Sequence, residues 1–115
     1  MKNFKEWKDR PLMRSDLISK IEKKVRSIAG DADIILFGSR ARGNARGHSD
    51  WDFLILVDQG LDRKLEDKIR DSLYEIELAT NEIISIIVRP RQLWNSARYA
   101  VLPFKKVVDQ EGILL

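Results

Sequence analysis

Ile34-Ile-Leu-Phe-Gly-Ser-Arg-Ala-Arg-Gly43, followed by Ser49-Asp-Trp-Asp-Phe-Leu-Ile-Leu-Val57, is the stretch on which the reading of this chain turns. An apolar run ends in Gly38-Ser39, a polar loop follows, and a second apolar run opens on Asp50-Trp51-Asp52. Ile34 to Phe37 has the β-branched, continuous apolar character of a short buried strand. Gly38 carries no Cβ, so the backbone there can turn sharply and approach a ligand closely. Ser39 suits a helix N-cap, and Arg40-Ala41-Arg42 before Gly43 fits a single helical turn. Amides at such a start, with the Ser39 hydroxyl, suit phosphate oxygens. Arg40 and Arg42 add the positive charge that a triphosphate tail requires.

The second run supplies a place for a cation. Asp50 and Asp52 stand two apart on a strand, so both side chains face one way, about 6.5 Å apart at Cα. Two ionised carboxylates aimed at one spot repel by about 4 kcal/mol at 4 Å with an effective dielectric near 20. A hard divalent cation removes that penalty, and Mg²⁺ favours oxygen ligands shared between carboxylates and phosphates. Phe53 to Val57 then anchors the pair in the core, and a strand holds metal ligands more rigidly than a loop does.

Gly38-Ser39, ten intervening residues, then Asp50-x-Asp52 followed by aliphatics resembles the signature of the DNA polymerase β-like nucleotidyltransferase superfamily. The wording Gly38-Ser-Arg-Ala-Arg-Gly43 and the short length are most similar to its minimal nucleotidyltransferase (MNT) branch. An Ile83 to Val88 strand, Trp94, Pro103-Phe104 and Glu111-Gly112-Ile113 carry the likeness over most of the chain. The resemblance implies an α+β nucleotidyltransferase fold, a small mixed β-sheet flanked by helices. It implies that Gly38, Ser39, Arg40 and Arg42 bind the nucleotide, and that Asp50 and Asp52 are the catalytic metal ligands. The implied reaction is Mg²⁺-dependent transfer of a nucleoside monophosphate, AMP foremost, from ATP or another NTP onto a hydroxyl acceptor. Members of this branch commonly pair with a separately encoded helical HEPN protein as antitoxin and toxin, so a HEPN partner, or else a homo-oligomer, is implied here.

Size and composition set the frame for that reading. At 115 residues the chain has room for one domain with one modest core. We divide it into an N-terminal arm, residues 1–14, and a nucleotidyltransferase domain, residues 15–115. No cysteine is present, which excludes a disulfide framework and thiolate metal sites. No secretory signal and no long apolar run appears, so the expected location is the cytoplasm and no membrane span is expected. Lys and Arg number 21 against 18 Asp and Glu, a net +3. Acids and bases are interspersed, which argues against a nucleic-acid-binding stripe.

The remaining segments read as scaffold. Ser15 to Ala29 predicts a helix capped by Ser15, with Leu17, Ile18, Ile21, Val25 and Ile28 on one stripe and Gly30 as its stop. Asp31 and Asp33 precede the first strand, about 18 Å from the cradle at its other end, too far to share an ion. They read as solvated turn residues, and His48 reads as a solvated loop residue. Leu61 to Leu78 predicts the second long helix, its mixed charges forming a solvated face. Glu82 to Val88 predicts a third strand, apolar on both faces and so central or covered. Gln92 to Tyr99 predicts a short helix anchored by Trp94. Pro103 starts a last helix with Phe104, Val107 and Val108 inward, and Gly112 to Leu115 is an apolar tail.

The resemblance also implies a third carboxylate on the later strand, helping to hold the ion that activates the attacking hydroxyl. The aligned position here is Ser85; Glu82 is the nearest acid, but side-chain alternation puts it on the opposite face. That departure favours nucleotide binding over turnover. It sustains a second reading, a catalytically impaired nucleotide-binding module that neutralises a HEPN ribonuclease by contact alone.

Overall fold

The computed structural model describes residues 1–4, 14–58 and 60–115. Its centre is a five-stranded mixed sheet in the order β1-β5-β2-β3-β4. These strands are β1 (Lys2–Asn3), β2 (Asp33–Phe37), β3 (Trp51–Val57), β4 (Ile84–Pro90) and β5 (Ile113–Leu114). Among the described residues the helices are α1 (Ser15–Ile28), α2 (Ser39–Arg42), α3 (Arg63–Thr80), α4 (Arg91–Trp94), α5 (Ala97–Ala100) and α6 (Pro103–Glu111). β2 and β3 run antiparallel with Phe37 opposite Asp52, and β3 and β4 run parallel with Asp52 opposite Ser85. The parallel pair requires a crossover, which α3 provides.

Strand alternation divides the apolar residues between two layers. Ile34, Leu36, Trp51, Phe53, Ile55, Val57 and Val88 meet the inner faces of α1 and α3 in the larger cluster. Ile35, Leu54 and Leu56 meet Trp94 and Val108 on the opposite face, with Phe37, Ile87, Tyr99 and Phe104 around them. Phe104 lies edge-on to both Phe37 and Trp94, with ring centroids 5.3 and 5.7 Å apart. Edge-to-face contact is the arrangement that aromatic quadrupoles favour. Asp52 and Ser85 alternate onto this second face, beside its aromatic cluster rather than under the long helices.

Helix ends follow local chemistry. The Asp62 carboxylate caps α3 by accepting from the Leu65 amide at 2.8 Å, and Asn81 closes it in the left-handed region. Ser15 is the first residue of α1 rather than its cap; Arg14 holds that position and makes no side-chain cap bond. The predicted helix from Gln92 to Tyr99 is two single turns instead, α4 and α5. Ser96 interrupts it by accepting from the Tyr99 amide through its side chain.

One expectation resolves and two change. Among the described residues β4 pairs only with β3, so of the two alternatives, central or covered, this Ile-rich strand takes the second: it is the sheet's edge, with α3 and the Trp94 cluster over its faces. The tail is a strand: β5 inserts between β1 and β2, with the Lys2 amide donating to the Gly112 carbonyl at 3.0 Å. Val107 faces outward at 41% exposure, leaving Val108 as the inward valine of α6. In the N-terminal arm, Lys2 and Asn3 join the sheet and Phe4 packs against the core; Trp7 and Pro11 lie outside the described residues.

Candidate active site

β2 ends at Phe37, and the chain turns at Gly38 with φ 79° and ψ −161°, a conformation open essentially to glycine. The turn leads into α2, whose last residue is followed by Gly43 in the left-handed region. A Cβ on Gly38 would fall onto the Asp52 carboxylate and stand 3.2 Å from its Cγ. The missing side chain therefore lets the carboxylate of β3 lie directly against the turn that follows β2. The Ser39 amide and hydroxyl have no hydrogen-bond partner among the described residues, so both remain available to an incoming oxygen.

Asp50 immediately precedes β3 and Asp52 is its second residue. The Ser85 hydroxyl, across from Asp52 on β4, donates to Asp50 Oδ2 at 3.3 Å. That hydroxyl thus ties Asp50 to the start of β4, on the face that Asp52 shares. Burial raises the Asp52 carboxyl above its ordinary pKa; Asp50 raises it further, and Arg42 pulls in the opposite direction. A half-buried carboxylate pushed up by burial and a like-charged neighbour is the electrostatic situation that a bound cation relieves. Among the described residues no three His, Cys, Asp or Glu side chains are grouped to hold a metal. The donor set therefore suits one hard ion shared with phosphate oxygens better than a cage built wholly from protein.

The two arginines separate. Arg42 is exposed and lies close enough to influence Asp52, while its guanidinium pairs with Glu111 at 3.1 Å. An exposed pair of that kind contributes little stability, so Arg42 can exchange Glu111 for a phosphate at small cost. Arg40 is 8% exposed and faces inward. Its Nε and Nη2 donate to the Ser49 carbonyl at 3.3 and 3.0 Å, and Nη2 donates to that of Gly47 at 3.3 Å. Its guanidinium carbon lies 4.4 Å from the Trp51 ring centroid, and Nη2 stands 3.9 Å from Glu82 Oε2. The structure thus occupies Arg40 with loop carbonyls and the core, where sequence reasoning assigns it to a phosphate.

Glu82 is the other residue whose surroundings the sequence did not reveal. It accepts from Arg14 Nη1 at 2.9 Å and from the Trp51 indole at 3.2 Å, on the face away from Asp52. Its place outside the acidic face agrees with the alternation argument. His48 is exposed in the loop before β3, as expected. Asp33 differs from its expectation: it lies in β2 and pairs with Arg91 at 3.2 Å, and Arg91 also pairs with Asp58 and donates to the Asp31 carbonyl.

Comparisons with known proteins agree with this geometry. A nucleotidyltransferase domain family model matches residues 18–109, spanning both halves of the site and most of the sheet. Among solved structures, a toxin–antitoxin protein in complex with AMP-PNP is similar, with 22% identity and a TM-score of 0.58 over 84% of this chain and 69% of that one. A variant of the MntA–HpeT toxin–antitoxin is also similar, with 21% identity and a TM-score of 0.56 over 90% of this chain and 72% of that one. No curated protein matches. At these identities the structural likeness speaks for the fold, whereas the family match covers most of the sequence itself. The chain belongs to the nucleotidyltransferase domain family.

Proposed function

We propose that this protein binds a Mg²⁺–nucleoside triphosphate between the Gly38-Ser39 turn and the Asp50/Asp52 pair, and transfers AMP onto a hydroxyl of a HEPN partner protein. The observation that carries the reading is the Asp52 carboxylate standing where a Gly38 side chain would be. A phosphate cradle and a cation site in direct contact serve a ligand that has both a polyphosphate and an ion. The similar structure solved with AMP-PNP, and the toxin–antitoxin identity of both neighbours, support the choice of nucleotide and of a protein partner.

The residues divide the work. Ser39 offers its amide and hydroxyl to phosphate oxygens, and Arg42 supplies charge after leaving Glu111. Asp50 and Asp52 hold Mg²⁺, which when bound neutralises charge on the phosphates and the leaving group. The acceptor oxygen bonds to the α-phosphorus as the bond to pyrophosphate breaks, and the hydroxyl proton passes to water. Rate enhancement then comes mainly from positioning and fixed electrostatics. We place the activity in the cytoplasm, where ATP and Mg²⁺ are abundant.

Ser85 supports the second reading. A serine stands opposite Asp52, where the resemblance calls for an acid, and its hydroxyl is engaged by Asp50. A chain built this way can keep nucleotide affinity while turning over slowly, and can neutralise a HEPN ribonuclease by contact alone. Incubation with α-labelled ATP, Mg²⁺ and a purified HEPN partner separates the two. Label in the partner that disappears with Asp52→Asn establishes transfer. A tight complex without label establishes the binding module, and the absence of both label and complex removes both readings.

A further inference from the structure

Trp51 sits between the two acids in sequence, and strand alternation sends its side chain to the opposite side of β3. There it meets a compact polar cluster. The indole N–H donates to Glu82 Oε2 at 3.2 Å, and the Arg40 guanidinium stacks over the ring at 4.4 Å. Glu82 is in turn held by Arg14, at the head of α1, at 2.9 Å. Arg40 reaches from α2 to the carbonyls of Gly47 and Ser49, the latter one peptide before Asp50. The side chains of Arg40 and Glu82 are 7% and 18% exposed, so a buried guanidinium and a part-buried carboxylate flank a fully buried Trp51.

From this placement we infer that Arg40, Trp51 and Glu82 form a positioning platform beneath the Asp50/Asp52 pair, setting the carboxylates at the spacing the cation requires. The inference rests on the nucleotide-site reading given above. Each member fixes a different coordinate. Arg40 ties the phosphate turn to the loop carbonyls, and so sets where the main chain enters Asp50. Trp51 fixes the tilt of the strand start from which both acids project. Glu82 locks the indole and the guanidinium together and joins them to β4, which carries Ser85. Arg40 and Trp51 are buried in the finished fold and Glu82 is held by two hydrogen bonds, so the geometry exists before any ligand arrives, as a preorganised site needs. This assigns Arg40 to positioning rather than to phosphate contact. It also gives Glu82, an acid near the site but on the wrong face for a metal, a reason to be there.

The two roles for Arg40 predict opposite responses. As a positioning pair, Arg40 and Glu82 fail together, so Arg40→Ala and Glu82→Ala both weaken ion-dependent binding. As a phosphate ligand, Arg40 would be released by Glu82→Ala, and nucleotide binding would hold or improve. The test measures Mn²⁺ binding by electron paramagnetic resonance, with and without a non-hydrolysable ATP analogue. It compares the wild type with Arg40→Ala, Glu82→Ala and the milder pair Glu82→Gln and Trp51→Phe. Ile69→Val in the core under α3 serves as a control for modest destabilisation at a distance. We expect Mn²⁺ affinity to fall about tenfold or more in the alanine variants and several-fold in Trp51→Phe, with Ile69→Val unchanged at a comparable fall in melting temperature. The conservative variants keep the measurement decisive if an alanine variant does not fold. Wild-type Mn²⁺ binding that survives Glu82→Gln and Trp51→Phe unchanged overturns the platform alone. Absence of Mn²⁺ binding in the wild type overturns the nucleotide-site reading and this inference with it.

Discussion

Replacing Gly38 by alanine asks one residue to satisfy two constraints at once. The first is the backbone: φ 79° with ψ −161° lies where residues bearing a Cβ are strained, at a cost of about 1–3 kcal/mol. For 115 residues, an unfolding entropy of about 2.1 cal/mol/K per residue gives roughly 0.24 kcal/mol/K, so that cost lowers the melting temperature by about 4–12 °C. The second constraint is the site. The new methyl would stand 3.2 Å from Asp52 Cγ and 3.5 Å from its Cβ, so the carboxylate must rotate away from the turn. Ion-dependent nucleotide binding should therefore fall by more than the stability loss explains, because the folded fraction remains high. Thermal unfolding followed by circular dichroism reads the first effect, and calorimetric titration with an ATP analogue and Mg²⁺ reads the second. Gly47→Ala, with nothing within 4 Å of the added Cβ, is the matched control and should stay within about 0.5 kcal/mol. In melting temperature, Gly38→Ala should cost less in an Asp52→Ala background than in the wild type, since the methyl then meets no carboxylate and the backbone strain alone is left, a non-additive pair. A Gly38→Ala protein with wild-type melting temperature and wild-type binding would refute the claim that the turn and the acid are in contact.

Three other substitutions test separate parts of the structure. Asp52→Asn should stabilise the ligand-free protein at neutral pH, because burial and Asp50 raise the carboxyl's folded-state pKa. The folded state then binds more protons than the unfolded chain, so stability falls as pH rises from the ordinary carboxylate value through the raised one. The gain from Asp52→Asn is accordingly largest above that window and vanishes below it. Repulsion from Asp50 contributes on the order of 1 kcal/mol to that gain and burial adds to it, readable from melting temperatures at pH 4 and pH 8. Trp94→Ala, at a residue 3% exposed and edge-on to Tyr99 and Phe104, should cost about 3–5 kcal/mol in urea unfolding. Arg91→Ala removes the clamp on Asp33, Asp58 and the Asp31 carbonyl. It should cost about 1–2 kcal/mol in the same assay, with part of the loss disappearing in high salt.

The sequence conveyed those parts of the structure that short-range chemistry determines. A β-branched run followed by Gly38-Ser39, and an acid pair at strand spacing, need no distant partner to be interpreted. α1 and α3 announce themselves by apolar stripes, and the single turn of α2 by the Gly43 that ends it. What stayed hidden depends on residues far apart in the chain. Arg40 reads as a nucleotide-binding residue, and its contacts with Trp51 and Glu82 stay hidden because nothing local links it to an acid 42 positions away. Two-residue strands such as β5 carry too few side chains to show a period, so only the slot between β1 and β2 identifies the tail as part of the sheet. β4 reads as central or covered because isoleucines occupy both of its faces; which of the two holds depends on α3 and the Trp94 cluster, which cover those faces, β3 being its one strand neighbour among the described residues. Asp33 reads as a turn residue because its partner, Arg91, is 58 positions on.

The convergence of turn, acids, ion and phosphates is tested most directly by crystals grown or soaked with Mn²⁺ and a non-hydrolysable ATP analogue, examined by anomalous scattering. An anomalous peak coordinated by Asp50 and Asp52, with the triphosphate tail against Gly38 and Ser39 and Arg42 turned from Glu111 towards it, is the predicted result. Nucleotide and ion bound elsewhere, with Asp50, Asp52 and Ser85 in their present arrangement, would contradict it.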